Sequence, residues 1–161
     1  FKDTLMKKFI TVISLLLIIS LMSLTLVACG GDVDDSGVMT LVVKNGDDIK
    51  EYTVDLSEIQ NVDGGKGVMV ILEYLKNNDD LTYAYEESAY GAYLTQVNSL
   101  KQENGAYIYL YTDVESDIDL TEYPTTIDYN GKTLTNSGVG VSQMNVKDGC
   151  TILITTITFG N

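Results

Sequence analysis

The chain has 161 residues, one domain's length, with 45% apolar content, a formal charge of −13 and no His, Trp or Arg, so that all ten cations are Lys. Without an imidazole, neither a Ser-His-Asp nor a Cys-His nucleophile system can form, and the two cysteines, Cys29 and Cys150, cannot make a zinc site of the usual Cys/His kind. A surface this acidic repels nucleic acid and anionic lipid and favours cations or cationic partners, and the chain is read as a non-enzyme.

In chain order, Lys7 and Lys8 precede an almost unbroken apolar run from Phe9 to Val27, which ends in Leu26-Val27-Ala28-Cys29. That ending has the form of a lipobox, the bacterial lipoprotein processing signal. Residues 1–28 are therefore predicted to be a lipoprotein signal peptide, with Met6 as the natural start and Phe1 to Leu5 as an upstream extension. Cys29 is the predicted lipidation site, where a diacylglycerol would anchor the protein outside the cytoplasm on a bacterial cell membrane. Two acyl chains hold where one binds only marginally. Removing residues 1–28 leaves seven Lys against 22 acidic residues, a net charge of −15. Residues 29–37, rich in Gly, Asp and Ser, read as a flexible tether, with Asp32, Asp34 and Asp35 as a minor acidic cluster. Residues 38–161 are the folded domain.

Val38 to Lys44 is a β-rich run, and Asn45-Gly46 is a strong hairpin signal leading to a second strand over Glu51 to Leu56. Gly64-Gly65-Lys66-Gly67 is a loop without the ending of a phosphate loop. Val68, Ile71, Leu72 and Leu75 share one face at helical spacing, which predicts a helix over Val68 to Asn77. Extended segments are predicted at Leu81 to Glu86, Tyr93 to Leu100 and Ala106 to Val114. A hairpin follows over Thr126 to Tyr129 and Lys132 to Thr135, turning at Asn130-Gly131, and then a short extended Val139 to Val146. After the turn at Lys147-Asp148-Gly149, Cys150 to Phe159 is the last strand. One early helix among many strands predicts an α+β fold, a mixed or antiparallel sheet packed on that helix.

Two constellations carry candidate chemistry. Tyr107, Tyr109 and Tyr111 alternate with Ile108 and Leu110, so a strand turns the Tyr set away from the Ile/Leu set. With Tyr85, Ser88, Tyr90 and Tyr93 they form a candidate ligand-binding surface for a small molecule or a protein partner. The plainer reading is cross-strand Tyr packing. Asp113, Glu115, Asp117 and Asp119 also alternate, and an extended chain would put four carboxylates on one side, an oxygen-only set suited to Ca²⁺. They lack the spacing of a calcium loop, and the plainer reading is a solvated acidic loop. A hydrolase using two carboxylates is a weaker possibility, since the adjacent pairs Asp79-Asp80 and Glu86-Glu87 would point apart on a strand. Cys150 reads as a small buried hydrophobe, without a disulfide partner once Cys29 is lipidated.

Three segments carry a resemblance: the helix Gly67-Val68-Met69-Val70-Ile71-Leu72-Glu73-Tyr74-Leu75, the stretch Ser88-Ala89-Tyr90-Gly91-Ala92-Tyr93-Leu94-Thr95-Gln96-Val97-Asn98, and the strand Ala106-Tyr107-Ile108-Tyr109-Leu110-Tyr111. With Gly140-Val141-Ser142-Gln143-Met144-Asn145-Val146-Lys147-Asp148-Gly149, their order resembles the transcobalamin-like C-terminal domain family of exported bacterial proteins. That resemblance implies a β-grasp-like sheet on one helix and, by relation to the vitamin carriers, a cobalamin-like ligand. The chain departs from the family in carrying Tyr where its aromatic strand usually carries Trp, and in a long insertion over Asp113 to Ser137. The expected function is a lipid-anchored, non-enzymatic binding module recognising a small ligand or a protein partner through its Tyr surface. The alternative is a Ca²⁺-binding surface lipoprotein.

Overall fold

A computed structural model describes residues 30–158. The predicted signal peptide and Cys29 lie outside the described residues. Strands β1 (Val38–Asn45) and β2 (Asp48–Asp55) form a hairpin, followed by helix α1 (Val68–Asn77). A meander of β3 (Tyr83–Ser88), β4 (Gly91–Val97) and β5 (Leu100–Lys101) comes next. Then come β6 (Ala106–Thr112), β7 (Thr126–Tyr129), β8 (Lys132–Asn136) and β9 (Thr151–Thr158).

The strands make two sheets. One has six strands in the order β2-β1-β9-β6-β8-β7, and the other three in the order β3-β4-β5. The larger is mixed: β1 and β9 run parallel, with Leu41 beside Ile152 and Val43 beside Ile154, and its remaining pairs are antiparallel. The expected α+β arrangement, one sheet packed on one helix, is therefore corrected. The described residues are mostly β, 46% strand against 8% helix, and built as two sheets. Length explains why. A ten-residue helix is about 15 Å long, whereas six strands span about 24 Å. The helix alone cannot cover the larger sheet, and residues 83–101 pair among themselves and share its core. Left-handed Asn98, at φ 50°, turns the chain between β4 and β5, where the sequence predicted one unbroken strand.

One apolar cluster joins both sheets and the helix: Leu41 and Ile152 of the large sheet, Leu94 and Val97 of the small one, and Ile71 and Leu72 of α1. Burial on α1 is wider than the predicted stripe, since Met69 and Val70 are buried too. Gly67 opens the helix at φ 58° and ψ −138°, and a side chain there would meet the Met144 carbonyl oxygen at 2.5 Å. A second, smaller cluster of Val42, Tyr111, Leu134 and Leu153 lies on the other face of the large sheet.

The described part of the predicted tether is not loose. Gly31 N–H donates to the Ser142 carbonyl and Asp34 N–H to Val146, while Val33 bridges Val146 in parallel. Lys147 Nζ meets Asp34 at 3.1 Å, and Asp148 N–H donates to the same carboxylate. Gly30 to Asp34 therefore belong to the folded domain. Their small and acidic residues, which read as a linker, instead allow close backbone approach and accept hydrogen bonds.

Candidate functional site

The seven predicted recognition residues divide among three places. Tyr85, beside Tyr83 on β3, stacks with it at 6.1 Å between ring centres and 18° between planes. Tyr83 donates to Glu73 Oε2 at 2.6 Å, and Lys76 Nζ lies 5.5 Å from the centre of its ring. Burial, then the neighbouring Glu73, pushes the Tyr83 hydroxyl well above the ordinary tyrosine range; that hydroxyl in turn holds the Glu73 carboxyl below its own. This cluster borders an open groove of about 560 Å³ between β3, α1 and the Asp63–Gly65 loop.

The second place is the seam between the sheets. Ser88 has a structural task there: its hydroxyl donates to the Gly91 carbonyl at 2.7 Å and accepts from Tyr90 N–H, which closes the β3–β4 turn. The N–H of Ala92 donates to Ser142 Oγ at 3.2 Å and docks the turn onto the Gly140–Ser142 loop. Below lies a pocket of about 170 Å³ with mostly apolar walls: Tyr93 and Leu94 from β4, Ile108 and Tyr109 from β6, and Val139 and Val141 from the loop. Tyr93, Tyr107 and Val139 are partly exposed at 37%, 42% and 36%, and Tyr90, whose carbonyl adjoins Gly140, is 83% exposed. Burial, then the neighbouring Tyr107, raises the Tyr93 hydroxyl above its ordinary value. Glu86 stands opposite Tyr93 in the β3–β4 register, which gives this rim an acidic side.

The third place is the outer face of the large sheet. Tyr107, Tyr109 and Tyr111 do share a face of β6, as their alternation requires, but not one environment. Tyr107 is exposed and Tyr109 half-buried, whereas Tyr111 is 6% exposed and packs with Val42, Leu134 and Leu153. Tyr109 and Tyr111 meet edge to face at 5.6 Å, and the Tyr111 hydroxyl accepts from Thr125 Oγ1 at 3.3 Å. Tyr111 is thus a core residue of that face and is corrected from the recognition set.

The acidic alternation is also corrected. Residues 113–119 are not a strand, and Asp113, Asp117 and Asp119 are each engaged in separate local hydrogen bonds. Asp113 accepts from Lys132 Nζ at 2.7 Å and from Thr151 N–H at 2.8 Å. Buried Asp117 accepts from Asn145 N–H, Asn145 Nδ2 and Ser116 Oγ at 2.5, 2.6 and 3.0 Å. Asp119 accepts from Thr121 N–H at 2.9 Å and Asn136 Nδ2 at 3.0 Å, and these bonds hold its carboxyl below the usual range. Glu115 points to solvent. Among the described residues, no three acidic or sulfur ligands are grouped to hold a metal ion. Carboxylates that fasten a loop locally compete with the extended form the alternation suggested.

Cys150 is buried beneath Lys147, whose N–H it accepts at 3.4 Å, and burial pushes its thiol up to about 11. The predicted lipidation site, Cys29, lies outside the described residues. The sequence reading missed Ser137, Val139, Gly140 and Val141 as lining of the seam pocket. Their signal was present in Ser137-Gly138-Val139-Gly140-Val141, small residues interleaved with Val, but it read as the start of a strand.

No protein-family model matches the chain, and no curated protein matches its sequence. Among solved structures, the fold is similar to one from Ruminococcus gnavus described as a "putative metal binding protein". The two are 15% identical, with a TM-score of 0.49, over 77% of this chain and 99% of the other. At that level of likeness the description belongs to the neighbour alone.

Proposed function

We propose that this is an extracytoplasmic, non-enzymatic binding module held by a lipid on Cys29, and that the seam pocket is where it recognises an apolar side chain of a protein partner. The carrying observation is an apolar pocket lined by partly exposed Tyr93 and Val139 and half-buried Tyr109. Tyr supplies large contact area with few rotatable bonds, which suits it to such a rim. Size selects the occupant. Pockets for small molecules run to about 300–1,000 Å³, and 170 Å³ lies below that range. A tetrapyrrole-sized group is too large for it, so the cobalamin-like ligand implied by the family resemblance is not proposed for this pocket. One leucine or phenylalanine side chain does fit.

A tryptophan makes the test, because the chain has none. Val139→Trp puts an indole beside the pocket, and Leu120→Trp puts one at an 86% exposed position that does not line it. Adding N-acetyl-phenylalanine amide is expected to change the emission of the first variant in a saturable way and leave the second unchanged. Equal responses, or none from either, would overturn the proposal.

A further inference from the structure

The sheet margins are not equally closed. β2 and β7, the outer strands of the large sheet, are tied to each other by the hydrogen bond from Tyr129 to Glu51. In the small sheet β5 has only two residues, whereas β3 has six, and its ladder pairs it on one side only, with β4. Its residues are exposed from Ala84 to Ser88. A groove of about 560 Å³ opens at the start of this strand, lined by Tyr83 to Tyr85, the Asp63–Gly65 loop and Glu73 and Lys76 of α1. An open strand margin with a groove beside it is what a peptide needs to add a strand.

We infer that the β3 margin binds an extended, cationic polypeptide segment as a fourth strand of the small sheet. Charge chooses the partner. Glu86 and Glu87 are consecutive, so they project to opposite faces of the sheet and meet the side chains of an added strand on both. Asp63 lines the groove, as do Glu73 and Lys76, which are ion-paired with each other, so the groove's uncompensated charge is that of Asp63. The same carboxylates oppose a second copy of this strand, because like charges directly across a ladder repel. Chemistry for a cation is already displayed within the chain, where Lys76 sits over the Tyr83 ring. Tyr85, stacked on Tyr83 and 45% exposed, offers the next aromatic surface to a Lys or Arg from outside. The ladder shifts register between Ala84 and Tyr85, so the regular part of the margin is Tyr85 to Ser88.

This inference rests on β3, not on the seam pocket, and the two can fail separately. The test uses the full chain in nonionic detergent and a fluorescent octapeptide of alternating Lys and Val, read by anisotropy and by amide hydrogen exchange. Saturable binding is expected, with new protection confined to residues 85–88. It should be lost in one of the two peptides N-methylated at alternate residues, because main-chain pairing needs those N–H groups. Glu86→Lys with Glu87→Lys should abolish it, and Tyr85→Ala should weaken it about tenfold, each variant first checked for a native circular dichroism spectrum. The inference is overturned by no binding, by equal binding of a Glu/Val peptide, by equal binding of both N-methylated peptides, or by protection elsewhere.

Discussion

Tyr129, on β7, donates its hydroxyl to Glu51 Oε2, on β2, at 2.5 Å. These strands lie at opposite ends of the six-strand order, so the sheet must curl until its two margins touch. The register shows what the curl encloses. Glu51 stands beside Val42, Val42 beside Leu153, Leu153 beside Tyr111 and Tyr111 beside Asn136, one row across five strands. The middle of that row is the smaller apolar cluster.

Removing the tie should loosen one margin without unfolding the domain. Tyr129→Phe is expected to cost about 1 kcal/mol, the ordinary net worth of one hydrogen bond. Amide exchange should quicken at Thr126–Tyr129 more than at Ala106–Thr112. Equal exchange in both strands would mean that the contact does not hold the curl.

The tyrosines of β6 should separate cleanly by position. Tyr111→Ala empties a packed site and is expected to cost about 3 kcal/mol or more, in the range of large aromatic truncations. Tyr107→Ala, at an exposed position, should change stability by about 0.5 kcal/mol or less. Denaturant titration of both variants checks this, and a costly Tyr107 truncation would remove it from the recognition surface.

What was legible in the sequence was local. The helix and the Asn130-Gly131 turn depend on neighbouring residues and stand where the patterns put them, with Asn130 and Gly131 both at positive φ, 48° and 78°; the first hairpin also forms, but it turns at Gly46-Asp47, with Asn45 still paired in β1 and β2 starting at Asp48. The parallel pairing of β1 with β9 joins residues more than a hundred positions apart, and no local pattern encodes it. The division into two sheets was hidden for the same reason. Among site residues, alternation correctly gave the face of Tyr107, Tyr109 and Tyr111. It could not show that Tyr111 is covered, because its cover comes from Val42, Leu153 and Leu134 on other strands. Val139 and Gly140 were missed because a pocket wall made of small loop residues has no periodicity to read.

Asp117 should behave as a structural fastener. Asp117→Ala empties a buried site and leaves the half-buried N–H of Asn145 without its acceptor, at an expected cost of about 1–3 kcal/mol. Adding Ca²⁺ or EDTA to the unmodified chain should leave the thermal midpoint in place. A midpoint raised by Ca²⁺, and insensitive to Ca²⁺ in the Asp117→Ala variant, would return these carboxylates to a metal site.

Stability should fall at both ends of the pH scale. Asp34, Asp55, Glu73 and Asp119 have carboxyls held below their ordinary values of 3.8 and 4.5, chiefly by N–H and O–H donors. Their contributions are present above those values and are lost as pH falls through the lower folded ones. Tyr74, Tyr83, Tyr93 and Tyr129 are raised above 10.0, so their contributions are complete below that value and are lost as pH rises through the higher folded ones. Cys150, raised by burial from 9.0 to about 11, adds a loss that begins at lower pH than the tyrosines', so the thermal midpoint should be level between about pH 5 and 8 and drop on both sides. Tyr83→Phe should flatten the alkaline side; an unchanged alkaline slope would assign it elsewhere.

The most direct test of the seam pocket is a titration of the ¹⁵N-labelled full chain, in nonionic detergent, with N-acetyl-phenylalanine amide and separately with cobalamin, followed by NMR. The account predicts that the amino-acid amide shifts resonances of Ala92–Leu94, Ile108–Leu110 and Ser137–Val141 together, and that cobalamin shifts none of them. Shifts scattered over the surface, or a saturable response to cobalamin in these three segments, would contradict it.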